Sequence, residues 1–168
     1  MRSAVVFVAC AAGMGCTVGT MDSSADLDET TLERVETYQR AMARLNAMPY
    51  RSGLGPFEVN CYVAGDISGY RKIHPEQPGA NVTVARGTMI VREVLDPAGQ
   101  VAKLTVMAKG PPGFDPSLGD WWFAVTDPRG VPLVEDGTLM LGRLPQCHNC
   151  HVDRPRDDFL FGVPIASL

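Results

Sequence analysis

The first clear pattern in the chain is a stripe of apolar residues at helical spacing. Thr30 and Glu33 form a capping-box pattern, which marks the start of a helix, and Pro49 ends the run. We therefore predict one amphipathic helix from about residue 30 to residue 48. The stripe indicates packing against the rest of the domain, and it comprises Leu32, Val35, Tyr38, Met42 and Leu45.

The pattern then changes to short apolar runs bounded by turn residues. Turns that begin with Asp-Pro and end with Gly, at residues 96–99 and 127–130, follow the second and fourth runs. Strands joined by short turns pair antiparallel. The pattern therefore predicts an α+β fold: a mainly antiparallel β-sheet with an N-terminal helix and a C-terminal segment after the sheet. The predicted strands cover residues 57–64, 88–95, 101–109 and 121–126.

Residues within each strand should alternate between the two faces of the sheet. Cys61 falls on the apolar face of the first predicted strand, together with Val59 and Val63. We therefore expect a buried thiol at this position. Trp121 and Trp122 are adjacent in the last strand, so they should lie on opposite faces.

The N-terminus has the composition of an export signal. Residues 1–15 contain one basic residue, Arg2, followed by small apolar residues over a length too short to span a bilayer as a helix. The residues before Cys16 resemble a lipobox, in which the cysteine is lipidated; ordinary cleavage nearby is the alternative. We predict a signal peptide over residues 1–15, a flexible tether over 16–26 and a single domain over 27–168.

The charge of the chain limits its partners. Lys and Arg number 15 and Asp and Glu 19, which gives a formal net charge of −4, and the basic residues form no run. Because binding nucleic acid requires a basic surface, we expect no nucleic-acid partner. No later segment is long and apolar enough to cross a membrane. Membrane contact is therefore expected only through a lipid anchor, and the expected location is the periplasm or the outer membrane.

The strongest chemical motif is C-x-x-C-H at residues 147–151. Two thiols three positions apart can each add to one vinyl group of haem, and the following histidine can ligate the iron. We therefore predict one covalently attached haem c, with thioethers from Cys147 and Cys150 and His151 as the axial ligand. The second ring nitrogen of His151 then needs an acceptor to fix the tautomer.

The residues around the motif leave several points open. The thiols of Cys147 and Cys150 could instead form a disulfide or redox pair, although the βαβ pattern typical of thioredoxin-like pairs is missing. They could also form part of a zinc site, for which the domain offers Cys61 and His74 as further ligands. Five charged residues after the motif are expected to be solvated: Asp153, Arg154, Arg156, Asp157 and Asp158. One of the carboxylates is a candidate acceptor for the second N–H of the histidine.

The position of the motif, after the predicted sheet, points to a particular group of haem proteins. The relevant segments are VNCYV at 59–63, GTMIVREV at 87–94, LTVMAK at 104–109, GDWWFAV at 119–125, CHNCH at 147–151 and DFLF at 158–161. Their order resembles the cytochrome P-460 and cytochrome c′-β family, over about residue 57 to the C-terminus. The resemblance implies a β-rich monohaem protein, often a homodimer, with a five-coordinate haem whose open face binds small nitrogen-containing molecules.

Arg92 is the most informative departure from that family. Its hydroxylamine-oxidising members carry a lysine bonded to the haem edge at the matching position, and a guanidinium is a poor nucleophile because it stays protonated. The resemblance therefore implies that hydroxylamine oxidation is disfavoured here. The matching also puts Met107 near the place of a distal carboxylate and Lys109 near the missing lysine. Arg92 is either a distal residue that donates hydrogen bonds to a bound ligand or a surface or propionate-pairing arginine.

These observations lead us to expect an exported monohaem c-type cytochrome with an open axial site that binds nitric oxide or related small ligands. One alternative is a hydroxylamine-oxidising or peroxidase-like haem enzyme. Another is a periplasmic electron-transfer cytochrome with a redox partner protein, which would need a sixth iron ligand. Met89, Met107 and Met140 are candidates for that ligand, although methionine is typical core filler. His74, in a loop rich in Gly and Pro, is expected to be exposed to solvent.

Overall fold

The structure, a computed structural model, describes residues 23–53 and 55–168, with side chains from residue 27 onward. The predicted export signal, the lipobox and residues 16–22 of the predicted tether lie outside the described residues. The described chain is a mainly antiparallel β-sheet with a few short helices, which confirms the predicted α+β class.

The N-terminal helix differs from its prediction at both ends. Helix α1 spans Ser23–Val35, so it includes the last residues of the predicted tether. A second, one-turn helix, α2, spans Tyr38–Ala41. The chain then forms strand β1, Ala43–Arg44, which pairs with a central strand of the sheet.

Leu45 illustrates why the prediction of a single helix over residues 30–48 is wrong. Its backbone N–H donates to the carbonyl oxygen of Cys61 at 2.9 Å, and its side chain is buried. Pairing with the sheet gives the backbone N–H of Leu45 its hydrogen bond, and it buries the same apolar side chain that a helix would bury. The apolar stripe therefore identifies which residues are buried but not the backbone conformation that buries them.

Four long strands form the centre of the sheet, and each confirms a predicted strand. They are β3, Glu58–Ala64; β4, Met89–Leu95; β5, Val101–Lys109; and β6, Trp121–Thr126. Each pairs antiparallel with the next along the chain. The short strands β1 and β2 (Tyr50–Arg51) pair with β3, while β9 (Leu141–Gly142) pairs with β6; β7 (Val134–Glu135) and β8 (Thr138–Leu139) form a separate hairpin.

Both predicted turns are formed. The backbone N–H of Gly99 donates to the carbonyl oxygen of Asp96 at 2.9 Å, and that of Gly130 donates to Asp127 at 3.0 Å. Gly99 has a φ of 77°, a left-handed conformation that glycine adopts without a steric penalty. The short turn after β4 therefore leads directly into β5.

The pleat of the sheet divides its side chains between two buried layers. On one face, Val35 of α1 and Tyr38 of α2 belong to a buried cluster that includes Trp122. The opposite face is covered by the C-terminal segment, and its cluster includes Trp121 and Cys61, both fully buried. The predictions that the two tryptophans lie on opposite faces and that Cys61 is buried are thus confirmed.

The remaining helices are short. Helix α3 spans Ile67–Tyr70 and helix α4 spans Pro145–His151. Single 3-10 turns form at Pro116–Leu118, Pro155–Asp157 and Ile165–Ser167. Among the described residues, no helix has the length and apolar composition that crossing a bilayer requires.

A buried carboxylate, Glu93, connects the helical layer to the sheet. Its Oε1 accepts hydrogen bonds from Tyr38 Oη at 2.6 Å and Gln39 Nε2 at 2.7 Å, and its Oε2 accepts one from Asn60 Nδ2 at 2.7 Å. Burial by itself would raise the pKa of Glu93, but these hydrogen bonds to the charged form lower it overall. The carboxylate is therefore charged near neutral pH and fixes α2 against β3 and β4.

Replacing Glu93 with Gln should destabilise the fold by about 1.5 to 3 kcal/mol, because an uncharged amide accepts these hydrogen bonds poorly. Urea unfolding at neutral pH measures the loss, with Glu58→Gln as the control because Glu58 is exposed.

The stability of Glu93→Gln should also depend on pH differently from that of the wild type. The folded-state pKa of Glu93 lies below its unfolded value, which is about 4.3. Its stabilising contribution is therefore fully present above that value and is lost as the pH falls through the folded pKa. Stability of Glu93→Gln should decline less steeply than wild-type stability below about pH 5. Identical slopes would contradict this account of Glu93.

Candidate functional site

The C-x-x-C-H motif forms helix α4. Pro145 occupies its first turn, where the missing N–H is tolerated, and the carbonyl oxygen of Leu144 accepts the N–H of Cys147 at 3.0 Å. Residues three and four positions apart share a helix face. The side chains of Cys147, Cys150 and His151 accordingly line one cavity.

This cavity, which we call the α4 cavity, has a volume of about 260 Å³ and lies between α4 and the sheet face under the C-terminal segment. At the cavity, Lys103 Nζ and Glu135 Oε1 form an ion pair of 3.3 Å between half-exposed side chains. The apolar lining includes Phe57, Val59, Ile90, Val94, Met107, Phe123, Val125 and Met140; the other polar lining residues are Ser52, Arg92, Thr105 and Gln146.

The ring of His151 is fixed by one hydrogen bond and two aromatic contacts. Its Nδ1 lies 2.6 Å from the carbonyl oxygen of Phe159. Because a carbonyl only accepts, Nδ1 carries the proton. Phe123 and Phe161 pack edge-on against the ring, with centroid distances of 5.3 and 5.1 Å.

The electrostatic surroundings keep this imidazole neutral. Burial and the positive charge of Arg92 lower the pKa of His151 to about 4, although the hydrogen bond to Phe159 opposes the shift. With the proton on Nδ1, the neutral ring has its lone pair on Nε2. The unprotonated Nε2 of a neutral imidazole is an atom that can ligate a metal.

The two cysteines of the motif differ in exposure. Cys147 is partly buried and Cys150 is exposed, and they are not joined by a disulfide bond. Burial, with a smaller contribution from Cys150, raises the pKa of Cys147 to about 11. Both thiols are available at the cavity for covalent attachment of a group held there.

Arg92 also lines the α4 cavity. Its Nη2 donates to the carbonyl oxygen of Gly162 at 3.0 Å and to Tyr70 Oη at 3.3 Å. Strand β4 therefore places Arg92 at the same cavity as the motif, although His151 lies 59 positions later in the chain. This location excludes a role on the outer surface.

The candidate sixth ligands separate into two groups. Met107 and Met140 line the α4 cavity, and Met140 Sδ accepts a hydrogen bond from Gln146 Nε2 at 3.1 Å. Met89 is buried on the opposite face of the sheet. His74 lies outside the cavity lining and is half-buried, with Nδ1 2.8 Å from the carbonyl oxygen of Val163. The expectation of an exposed His74 is therefore wrong, because the C-terminal segment packs over it.

Asp157 and Asp158 are buried, which corrects the expectation that they are solvated, whereas Asp153 and Arg156 are exposed as expected. Asp157 accepts the backbone N–H groups of Gly79 and Ala80. Asp158 forms a 2.5 Å ion pair with Lys109 Nζ, whose side chain is only 9% exposed, and accepts the N–H of Val84. The sequence has no local signal for these contacts, because the partners lie tens of positions away.

The Lys109–Asp158 ion pair is next to the acceptor of the His151 hydrogen bond. Trp121 Nε1 donates to the carbonyl oxygen of Asp158 at 2.7 Å, and Lys109 Nζ lies 4.9 Å from the centre of the Trp121 ring. Asp158 and Phe159 both have left-handed φ angles, 51° and 62°, which are costly for residues other than glycine. The ion pair and the Trp121 hydrogen bond thus hold Phe159 in place, and no carboxylate accepts from His151 Nδ1.

Comparison with models of known protein families gives no match, and comparison with curated proteins gives none either. Within the described ranges, no three His, Cys, Asp or Glu side chains converge as they would around a metal ion. A functional assignment therefore depends on the chain's own residues and geometry.

Replacing Lys109 with Met should destabilise the fold by about 3 to 5 kcal/mol, because it leaves the buried carboxylate of Asp158 without its ion-pair partner. Urea unfolding of Lys109→Met, Asp158→Asn and the double variant measures the coupling. The double variant should lose less than the sum of the single losses. Strict additivity would show that the two side chains do not stabilise each other.

Proposed function

We propose that the protein is an exported monohaem c-type cytochrome that binds nitric oxide or related small ligands at an open axial site. The observation that carries the proposal is the convergence of two thiols and one neutral imidazole on the α4 cavity. Haem c would be attached through Cys147 and Cys150, with His151 Nε2 as the axial ligand.

The residues present fit that group. The cavity walls are mainly apolar, as a porphyrin requires, and the Phe159 carbonyl provides the acceptor that a metal-ligating histidine needs at its second nitrogen. When bound, the haem iron supplies a coordination site for a small ligand. The contribution of the chain is to fix the imidazole, keep it neutral and surround the ligand with apolar side chains.

The thiol geometry favours haem over the two alternatives for the motif. The two thiols are not bonded to each other. A zinc ion would require more ligands than the described residues bring together around them. Cys61, the additional cysteine considered for zinc, is buried beside Tyr70, with its Sγ 3.5 Å from the Tyr70 hydroxyl.

A hydroxylamine-oxidising or peroxidase-like activity is less well supported. Arg92 stands at the place of the lysine that is bonded to haem in the hydroxylamine-oxidising proteins, and a guanidinium does not form that bond readily. Lys109 cannot replace it without breaking the buried ion pair with Asp158. We therefore favour ligand binding, within a group similar to cytochrome c′-β, with homodimer formation and a redox partner as further proposals.

An electron-transfer cytochrome is the second candidate, and one observation favours it. Met107 lines the α4 cavity, and a thioether that reached the iron would make it six-coordinate. Met140 is less suited, because its sulfur already accepts the hydrogen bond from Gln146. The proposed export signal and lipid anchor place either kind of cytochrome in the periplasm or at the outer membrane.

Haem should stay with the polypeptide in acidified organic solvent, because thioether bonds do not dissociate. Cys147→Ala and Cys150→Ala should each weaken or abolish this retention, while Cys61→Ala, the matched control outside the motif, should keep it. Absorbance of the extracted and protein fractions measures the outcome. Complete extraction from the wild type would exclude covalent attachment.

The ferric protein should have a high-spin absorption spectrum, because the open-site proposal leaves one axial position without a strong protein ligand. His151→Ala should lose normal axial ligation, whereas Met107→Ala and Met140→Ala should leave the spectrum nearly unchanged. Met89→Ala is the control, because Met89 lies on the other face of the sheet. A low-spin wild type that Met107→Ala converts to high-spin would favour the electron carrier.

A further inference from the structure

The guanidinium of Arg92 is surrounded by neutral groups. Besides the Gly162 carbonyl and the Tyr70 hydroxyl, its neighbours are the Tyr50 hydroxyl and the Cys61 thiol. Burial raises the pKa of both tyrosines and of the thiol, so all three are uncharged at neutral pH. None of the ion pairs formed by the described residues includes Arg92. The cation therefore lacks a counter-ion among the described residues, which is unfavourable for a charge that is partly removed from water.

The other charges at the cavity do not balance Arg92. Glu135 is the one carboxylate among the lining residues, and it pairs with Lys103. His151 is neutral, for the reasons of burial and nearby positive charge given above. The α4 cavity thus has one unpaired positive charge on an otherwise mainly apolar wall.

Tyr50 contributes a second group near Arg92, behind the residues that line the cavity. Its side chain is 8% exposed, and its buried hydroxyl lies beside the Cys61 thiol without a hydrogen bond to any oxygen or nitrogen atom of the described residues. Strand β2 pairs Tyr50 with Val59, which lines the cavity. A buried hydroxyl without a partner is unfavourable and is uncommon in folded proteins. A hydroxyl without an oxygen or nitrogen partner therefore lies near a cation without a counter-ion.

We propose that Arg92 and Tyr50 form a carboxylate-binding subsite of the α4 cavity. Arg92 supplies the charge. Its hydrogen bonds to oxygen atoms of the described residues both come from Nη2, which leaves Nε and Nη1 to make a bidentate contact. Tyr70 and the Gly162 carbonyl hold the guanidinium in position, and the Tyr50 hydroxyl donates to the carboxylate. The proposal extends the proposed function, since it assigns Arg92 to anchoring an anionic group rather than to donating to the iron-bound ligand.

The carboxylate can come from either of two sources. The first is a propionate of the haem proposed for this cavity, since haem combines a large apolar surface with carboxylates. The second is a free small carboxylate that enters the cavity, and formate serves as the probe for it.

Resonance Raman spectra of the haem-loaded protein test the first source, because the propionate bending mode shifts to lower frequency when its hydrogen bonds weaken. Arg92→Leu and Tyr50→Phe should both produce that shift. Lys103→Met is the matched control, since it removes a cation from the same cavity lining but one that already has a partner. Tyr50→Phe removes a single oxygen and keeps the test valid if Arg92→Leu does not fold.

Calorimetric titration with formate tests the second source. If the subsite binds a free carboxylate, Arg92→Leu and Tyr50→Phe should weaken formate binding by about tenfold or more, with the propionate mode unchanged. If neither the propionate mode nor formate affinity changes in either variant, or if Lys103→Met has the same effects, the subsite does not exist.

Different results would contradict the proposed function and the carboxylate subsite. A wild-type protein that carries no covalent haem contradicts the proposed function, and the formate titration of that haem-free protein then decides whether the subsite binds carboxylates. A wild type with covalent haem whose propionate mode and formate affinity are insensitive to Arg92 and Tyr50 contradicts only the subsite.

Discussion

The buried ion pair between Lys109 and Asp158 joins the C-terminal segment to the central sheet, and the geometry of the candidate site depends on it. Lys109 is the last residue of β5, while Asp158 follows the C-x-x-C-H helix by a few residues. Removing two charges from water is costly, so a pair of this kind is stable only when both partners are present. Because Asp158 precedes Phe159, the same contact sets the position of the carbonyl that accepts from His151.

The cavity next to this segment combines neutral reactive groups with one charged side chain, Arg92, that has no ion-pair partner among the described residues. Burial keeps the imidazole of His151 and the thiol of Cys147 uncharged, and neutral imidazole is the form that can donate a lone pair to a metal. Arg92 remains cationic in the same surroundings because a guanidinium does not lose its proton in proteins. This contrast between a mainly apolar wall and one unpaired cation is the basis of the proposed carboxylate subsite.

The sheet separates the cavity from the hydrogen-bond network that fixes the helical layer. On the helical face, Glu93 accepts hydrogen bonds from three side chains, two of α2 and one of β3, and both of its carboxylate oxygens have partners. On the cavity face, the adjacent residue of the same strand, Arg92, has hydrogen-bond partners but no counter-ion among the described residues. Strand alternation thus places a structural carboxylate and the arginine of the proposed subsite one position apart but on opposite sides of β4.

The sequence by itself determined the parts of the protein that depend on local patterns. Strands β5 and β6, the Asp-Pro turns and the placement of the two thiols and His151 on one face follow from residue types at short spacings. Only the tertiary structure decided the end of α1, the burial of Asp158 and the meeting of Arg92 with His151 at one cavity. These features depend on partners far apart in the chain, and a local pattern cannot show which distant strand will satisfy a backbone group or neutralise a charge.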